Sequence, residues 1–170
     1  FTYSAPVFTQ KKNGNITVSV TVTNTGSTTG REIVQCYISK PETTLEQAKL
    51  ELCGFAKTRL LAPGESETLE LRFDLSELAS FREADGAYVL EAGEYVLRLG
   101  NSSRNTTVVG AVTIESEIIV SRHEHICPLQ QSLEEMDAPV RTYEPIAEGL
   151  PRLSITAADI PTVTYTYQTP

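Results

Sequence analysis

At 170 residues with 40% of them apolar, the chain has the length for one ordinary domain plus an appendage, and enough apolar side chains to give that domain a core. Its net charge of −8 argues against a nucleic-acid surface, which needs clustered Lys and Arg. No apolar run approaches a membrane span and no charged-then-apolar leader opens the sequence, so no membrane partner and no export signal is expected; the abrupt start at Phe1-Thr2-Tyr3 suits a piece of something longer.

Taken in order, residues 1–10 read as an edge strand anchored by Tyr3 and Phe8, because Pro6 lacks the N–H that an interior strand would need. After the turn Lys11-Lys12-Asn13-Gly14 comes the stretch on which the rest is organised, residues 16–39. Ile16, Val18, Val20 and Val22 share one parity and Thr17, Ser19, Thr21 and Thr23 the other, so an extended chain has one apolar and one hydroxylated face. Asn24-Thr25-Gly26 and Thr29-Gly30 supply turn residues before Val34, Cys36 and Ile38 resume the alternation, which predicts a hairpin.

Residues 50–55 form the next expected strand, with Gly54 marking a bulge or a close backbone approach and with Leu52 and Phe55 inward. The turn Ala62-Pro63-Gly64-Glu65 leads into residues 68–74, where Leu69, Leu71 and Phe73 share a face, a further expected hairpin. Residues 74–78 fit one helical turn capped by Asp74 or Ser76. Residues 87–90 and 95–100 around the turn Glu91-Ala92-Gly93-Glu94 read as the last clear hairpin, with Tyr95, Leu97 and Leu99 inward, and residues 107–114 close the sheet. Seven or eight short strands with no sustained helical period predict an all-β fold of two packed antiparallel sheets, its core holding Val18, Val20, Val34, Cys36, Ile38, Leu69, Leu71, Phe73, Tyr95, Leu97 and Leu99.

The blocks TVTNTGSTTGREIVQCYIS, LCGFAKTRLLAPGES, FDLSELASF and LEAGEYVLRLGNSS, in that order and spacing, resemble the fibronectin type III-like domain of glycoside hydrolase family 3. The resemblance covers about residues 1–115, and its one visible departure is Ala92, where the family usually has Pro before the glycine. It implies a fibronectin type III/immunoglobulin-like antiparallel β-sandwich from a β-glucosidase-like enzyme. In that family a barrel supplies an aspartate nucleophile and an α/β sandwich often supplies the acid/base. No acidic residue of this chain maps onto those positions, so no catalytic, cofactor-binding or metal residue is carried over. The implied partners are the catalytic domains of the same polypeptide, and carbohydrate substrate is met only through them.

Residues 116–170 form a long irregular extension punctuated by Pro128, Pro139, Pro145, Pro151, Pro161 and Pro170. They read as a strap towards a neighbouring catalytic domain, resembling the connector of family members in which the sandwich lies in the middle and the barrel follows. Ile118, Ile119 and Val120 are expected to continue a strand or pack on the sandwich, and Tyr143, Leu150, Leu153, Tyr165 and Tyr167 to dock on neighbouring domains. Thr156-Ala157-Ala158-Asp159 fits a short helix capped by Thr156.

Two constellations invite over-reading. His123, His125 and Cys127 alternate along one strand face as zinc ligands do, but no fourth ligand lies at matching spacing, and a polar strand end with Cys127 tucked on the sandwich suffices. Glu134-Glu135-Met136-Asp137 offers carboxylates without a cleft to hold them apart, so a solvated acidic turn is expected. The odd set Cys36, Cys53 and Cys127 does not suit a disulfide framework and leans towards a reducing, cytoplasmic setting; against it stand the sequons at Asn15, Asn101 and Asn105, which suit secretion. The alternative function is a free-standing fibronectin-like adhesion or carbohydrate-binding module, which would show clustered exposed aromatics; here there is no Trp, and the tyrosines read as scattered or inward.

Overall fold

The computed structural model describes residues 1–10, 13–124, 126, 130–131, 133 and 146–167. Its strands are β1 (Thr2–Tyr3), β2 (Val7–Gln10), β3 (Asn15–Thr23), β4 (Ile33–Ser39), β5 (Glu51–Lys57), β6 (Ser66–Asp74), β7 (Ser80–Arg82), β8 (Ala87–Leu90), β9 (Gly93–Ser102), β10 (Asn105–Ile114), β11 (Ile118–His123), β12 (Arg152–Ile155) and β13 (Val163–Tyr165). β3 lies at the centre of one sheet, paired with β6 along its whole length on one side and with β1 and β2 in tandem on the other. Pro6 falls in the gap between β1 and β2, where no ladder donor is needed. A second sheet has the order β12-β10-β9-β4-β5 and a third β13-β11-β8-β7.

Strand parity follows the sequence pattern closely. Ile16, Val18, Val20 and Val22 are buried, and all eleven expected core residues join one apolar cluster that draws on the three sheets. Tyr3 and Phe8 pack against it from the edge, as anchors should. Asp74 caps the expected helical turn, which is a single 3-10 turn over Leu75–Leu78; the carboxylate accepts from the Ser76 amide at 2.9 Å and the Ser76 hydroxyl at 2.7 Å.

Strand pairing departs from the expected hairpins at three places. β3 and β4, β5 and β6, and β8 and β9 are consecutive strands that lie in different sheets. The connections explain why. Asn24 is buried, and its Nδ2 donates to the carbonyls of Thr28 (3.0 Å) and Leu61 (2.8 Å) while its Oδ1 accepts from the Gly26 amide (3.0 Å). Its own backbone bonds Gly64 and Glu65, and Gly30 and Leu61 exchange both hydrogen bonds. The two connections therefore clasp each other across one end of the sandwich, and each carries its chain from sheet to sheet. Between β8 and β9 the passage is made at Gly93, whose φ of 144° and close approach to Pro41 exclude any side chain.

Leu52 and Phe55 were expected inward and instead face solvent, at 47% and 68% exposure. A bulge is present beside Gly54: Cys36 pairs with Gly54 and the next residue, Tyr37, pairs with Leu52, so Cys53 is the extra residue. The extra residue does put Leu52 and Phe55 on one face. That face is the one carrying Gln35 and Tyr37, whereas Cys53 and Ala56 pack on the core.

Residue 115, where the sandwich is expected to end, lies in the connection between β10 and β11. Beyond it, β11 pairs antiparallel with β8, β12 runs parallel to β10 and β13 parallel to β11. Ile118, Ile155 and Ile160 enter the common core, and Leu153 packs against it. Residues 156–159 form a turn rather than the expected helix, with the Asp159 carboxylate accepting from the Thr156 amide and hydroxyl, both at 3.0 Å. Lys11, Lys12, His125, Cys127, the residues 134–137, Tyr143 and four of the prolines (Pro128, Pro139, Pro145 and Pro170) lie outside the described residues.

Leu71→Ala should lower stability to urea by about 2–5 kcal/mol, because the leucine is buried where β6 meets β3. Thr21→Ala removes only a solvent-facing hydroxyl pair with Thr68 (2.8 Å) and should cost under about 1 kcal/mol. Equal losses at the two positions would place the β3–β6 register in error by one residue.

Candidate functional site

Three places gather polar or aromatic side chains in a way that the core does not require. The first is built on a carboxylate. Glu91 leaves β8 at the sheet-crossing turn and points into the connection between β4 and β5, where it is almost fully buried. It accepts from the hydroxyl of Thr43, the amide (3.2 Å) and hydroxyl (2.6 Å) of Thr44, the Leu45 amide (3.4 Å) and Gln47 Nε2 (3.1 Å). Nearby, buried Lys40 pairs with Glu51 at 2.8 Å and donates to Ser80 Oγ, which in turn donates to Gln47 Oε1 at 2.7 Å. Burial alone would push the Glu91 carboxyl up; the donors from Thr43, Thr44 and Leu45 outweigh it and hold the group below its ordinary value. A carboxylate saturated in this way has no lone pair left for a substrate. It is an anchor for the 43–47 segment.

The second place is a row of rings across the outside of the third sheet. Phe81 and Tyr88 are cross-strand partners with centroids 5.1 Å apart, Tyr88 meets His123 edge-on at 5.4 Å, and His123 stacks on Tyr165 at 4.8 Å. The expectation of scattered or inward tyrosines is corrected here: Tyr88 and Tyr165 are exposed and lie in one row, because β7, β8, β11 and β13 are neighbours. His123 also shares a 2.9 Å hydrogen bond with Ser121 through Nε2. Its place is thus in an aromatic row. Among the described residues no group of three or more His, Cys, Asp or Glu is placed to hold a metal ion.

The third is an open groove of about 640 Å³ between β1, the β9–β10 hairpin and residues 149–151, with Phe1, Tyr3, Glu32, Asn101, Val108 and Leu150 among its walls. Burial, helped by the charge of Glu32 and a hydrogen bond to it, pushes the Tyr3 phenol up to about 12. Glu32 is the one acidic side chain lining the groove among the described residues. Glycoside hydrolysis by the usual route needs two carboxyl groups, roughly 5–9.5 Å apart. The groove, with Glu32 alone, does not provide that pair among the described residues, and the Glu91 oxygens are already taken by five donors. None of these places was legible as a site in the sequence: the Glu91 donors come from a segment more than forty residues away, and the row needs the strand order before its rings can be seen as neighbours.

Comparison with known proteins agrees with this geometry. Residues 32–103 match the family described as Fibronectin type III-like domain. A β-glucosidase of Ruminococcus albus is 33% identical over 149 residues, 83% of this chain and 15% of the relative; β-glucosidase A of Butyrivibrio fibrisolvens is 42% identical over 98 residues, 55% of this chain and 12% of the relative. Among solved structures, a β-glucosidase from Paenibacillus barengoltzii superposes with a TM-score of 0.67 at 33% identity, covering 73% of this chain and 15% of the other. β-Glucosidase 3B from Thermotoga neapolitana, solved with α-D-glucose, gives 0.62 at 38%, covering 69% and 16%. The chain thus spans about an eighth to a sixth of the length of these relatives. The fold is that of a fibronectin type III-like β-sandwich. The chain carries such a domain of the glycoside hydrolase family 3 kind.

The depressed Glu91 pKa fixes the sign of a pH effect. A carboxyl whose folded value lies below its unfolded one stabilises the fold above the ordinary carboxylate value, and that contribution is lost as pH falls through it. Glu91→Gln should therefore flatten the fall in melting temperature between neutral and acid pH. Glu91→Ala, which strands buried donors, should cost about 1–3 kcal/mol at neutral pH and open residues 43–47 to protease. An unchanged pH profile in Glu91→Gln would remove Glu91 from the anchor role.

Proposed function

We propose that the chain is the non-catalytic β-sandwich domain of a glycoside hydrolase family 3 enzyme of the β-glucosidase type, which hydrolyses terminal β-linked glycosides, and that it packs against and positions the catalytic domains. One observation carries the reading: the chain, with its fibronectin type III-like domain, matches only 12–15% of the length of β-glucosidases. Catalysis and sugar contact then belong to the barrel and α/β domains of the same polypeptide, and the sandwich meets substrate only through them. We take residues 1–115 as the sandwich proper and residues 116–170 as a strap that first adds strands to it and then runs towards a catalytic neighbour. The match to the Ruminococcus albus enzyme supports this, since 149 residues are more than the sandwich alone and take in part of the extension.

The aromatic row favours a second reading, a carbohydrate-binding module. Phe81, Tyr88 and Tyr165 are exposed, but His123 and Tyr165 each cover a face of the other, which leaves less open ring surface for a sugar.

The test is enzymatic. The 170-residue chain should show no turnover of an aryl β-glucoside, and the full-length polypeptide should hydrolyse it. Activity that survives repurification of the 170-residue chain would overturn the non-catalytic reading. Calorimetric titration with a soluble cello-oligosaccharide, with binding abolished by Tyr88→Ala, would favour the module instead.

A further inference from the structure

We propose that the outer face of β5, centred on Phe55 and Leu52, is the surface by which this domain docks on a neighbouring domain of its own polypeptide; this rests on the reading above. Phe55 is 68% exposed and Leu52 47%, and the bulge at Cys53 sets both on the same side of one short strand. β5 ends its sheet: it pairs with β4 only, so its other edge has no strand partner among the described residues. An edge strand with an aromatic and a leucine turned outward is an adhesive surface, of a kind that proteins cover with another element or use as an interface.

The surroundings of Phe55 are prepared for contact. Gln35 lies opposite it on β4 and Tyr37 opposite Leu52; the Tyr37 hydroxyl donates to Gln35 Oε1, and Gln35 Nε2 donates to the Asn101 carbonyl at 3.1 Å. On β9, next to Tyr37, Arg98 Nε donates to Thr106 Oγ1 at 2.9 Å. Because these polar side chains are already tied to one another, little rotamer freedom remains to be lost on docking. An apolar centre with a hydrogen-bonded rim is the usual anatomy of an interface.

The aromatic row is the rival surface, but its exposure has an internal explanation. Its four rings pack on each other across adjacent strands, which stabilises the third sheet without a partner. Phe55 makes no ring contact of that kind among the described residues. The occupant is a domain of the same chain because the β-glucosidase relatives carry more than four fifths of their length outside the matched region. A covalently tethered neighbour is present at an effective concentration of about millimolar. It presents an apolar recess for the Phe55 ring.

Hydroxyl-radical footprinting of the full-length polypeptide, read by mass spectrometry, tests this with an internal reference. From the exposures seen here, Phe55 should oxidise faster than Phe81, which is 44% exposed. Docking through β5 reverses that order, with loss of reactivity at Phe55 and Leu52 while Phe81 and Tyr88 stay reactive. Protection of Phe81 and Tyr88 with Phe55 reactive would overturn the choice of face and leave the packing reading standing. Full reactivity at both places would overturn both. Protection of Phe55 that disappears on dilution would make the occupant a second copy and overturn the proposal as well.

Discussion

Asn24 holds the architecture together at the point where the chain changes sheets. Only 2% exposed, it spends its side-chain amide on Thr28, Leu61 and Gly26 and its backbone on Gly64 and Glu65. A buried amide without partners costs a few kcal/mol, so the side chain specifies one arrangement of the two connections against all others. With those connections clasped, β3 and β6 stay on one layer and β4 and β5 on the other. The apolar parities of the four strands can then face each other. Had β3 and β4 formed a tight hairpin, Val18 and Cys36 would lie in one sheet, and the sandwich would lose the opposed layers that bury them.

This explains which parts of the fold were legible from sequence. Parity is a property of one strand, written in Ile16, Val18, Val20 and Val22 or in Leu69, Leu71 and Phe73, and these residues are buried as their alternation demands. Pairing is a property of two strands, and an alternating run contains no information about its partner. Turn residues such as Asn24-Thr25-Gly26 suit a hairpin and a sheet-crossing connection equally well; the difference lies in long-range bonds to Leu61 and Glu65. Leu52 and Phe55 show the same limit on a smaller scale. The glycine signalled a bulge, and a bulge does put residues three apart on one face, but which face was decided by β4.

The described residues beyond 115 show how an irregular segment becomes part of a core. Ile160 packs on Gly14, whose φ of 74° and lack of a side chain leave room for it; a Cβ there would sit 2.9 Å from Ile160 Cγ1. Ile155 enters through β12, which runs parallel to β10 and could not have been reached by a short hairpin. Proline spacing and weak periodicity hid these two anchors, since a single buried isoleucine in an irregular segment has no pattern. Order in such a segment must offset about 1–2 kcal/mol of backbone entropy per fixed residue, and the strand pairing and buried isoleucines of the described residues are what oppose that cost.

The crowding of Glu91 bears on the proposed division of labour between this domain and catalytic neighbours. A catalytic carboxyl needs unsaturated oxygens, a raised or balanced pKa and a partner acid across a cleft. Glu91 has the opposite environment, since donors crowd it and lower its pKa, so its negative charge serves to fix a loop. Among the described residues, no buried side-chain nitrogen or oxygen is left without a hydrogen-bond partner. The interior polar groups are thus committed to holding shape, and what the domain offers to other molecules is its surface. On that surface Phe55 and Leu52 stand exposed on one face of a sheet-edge strand, where a rigid layer can transmit position to whatever rests on it.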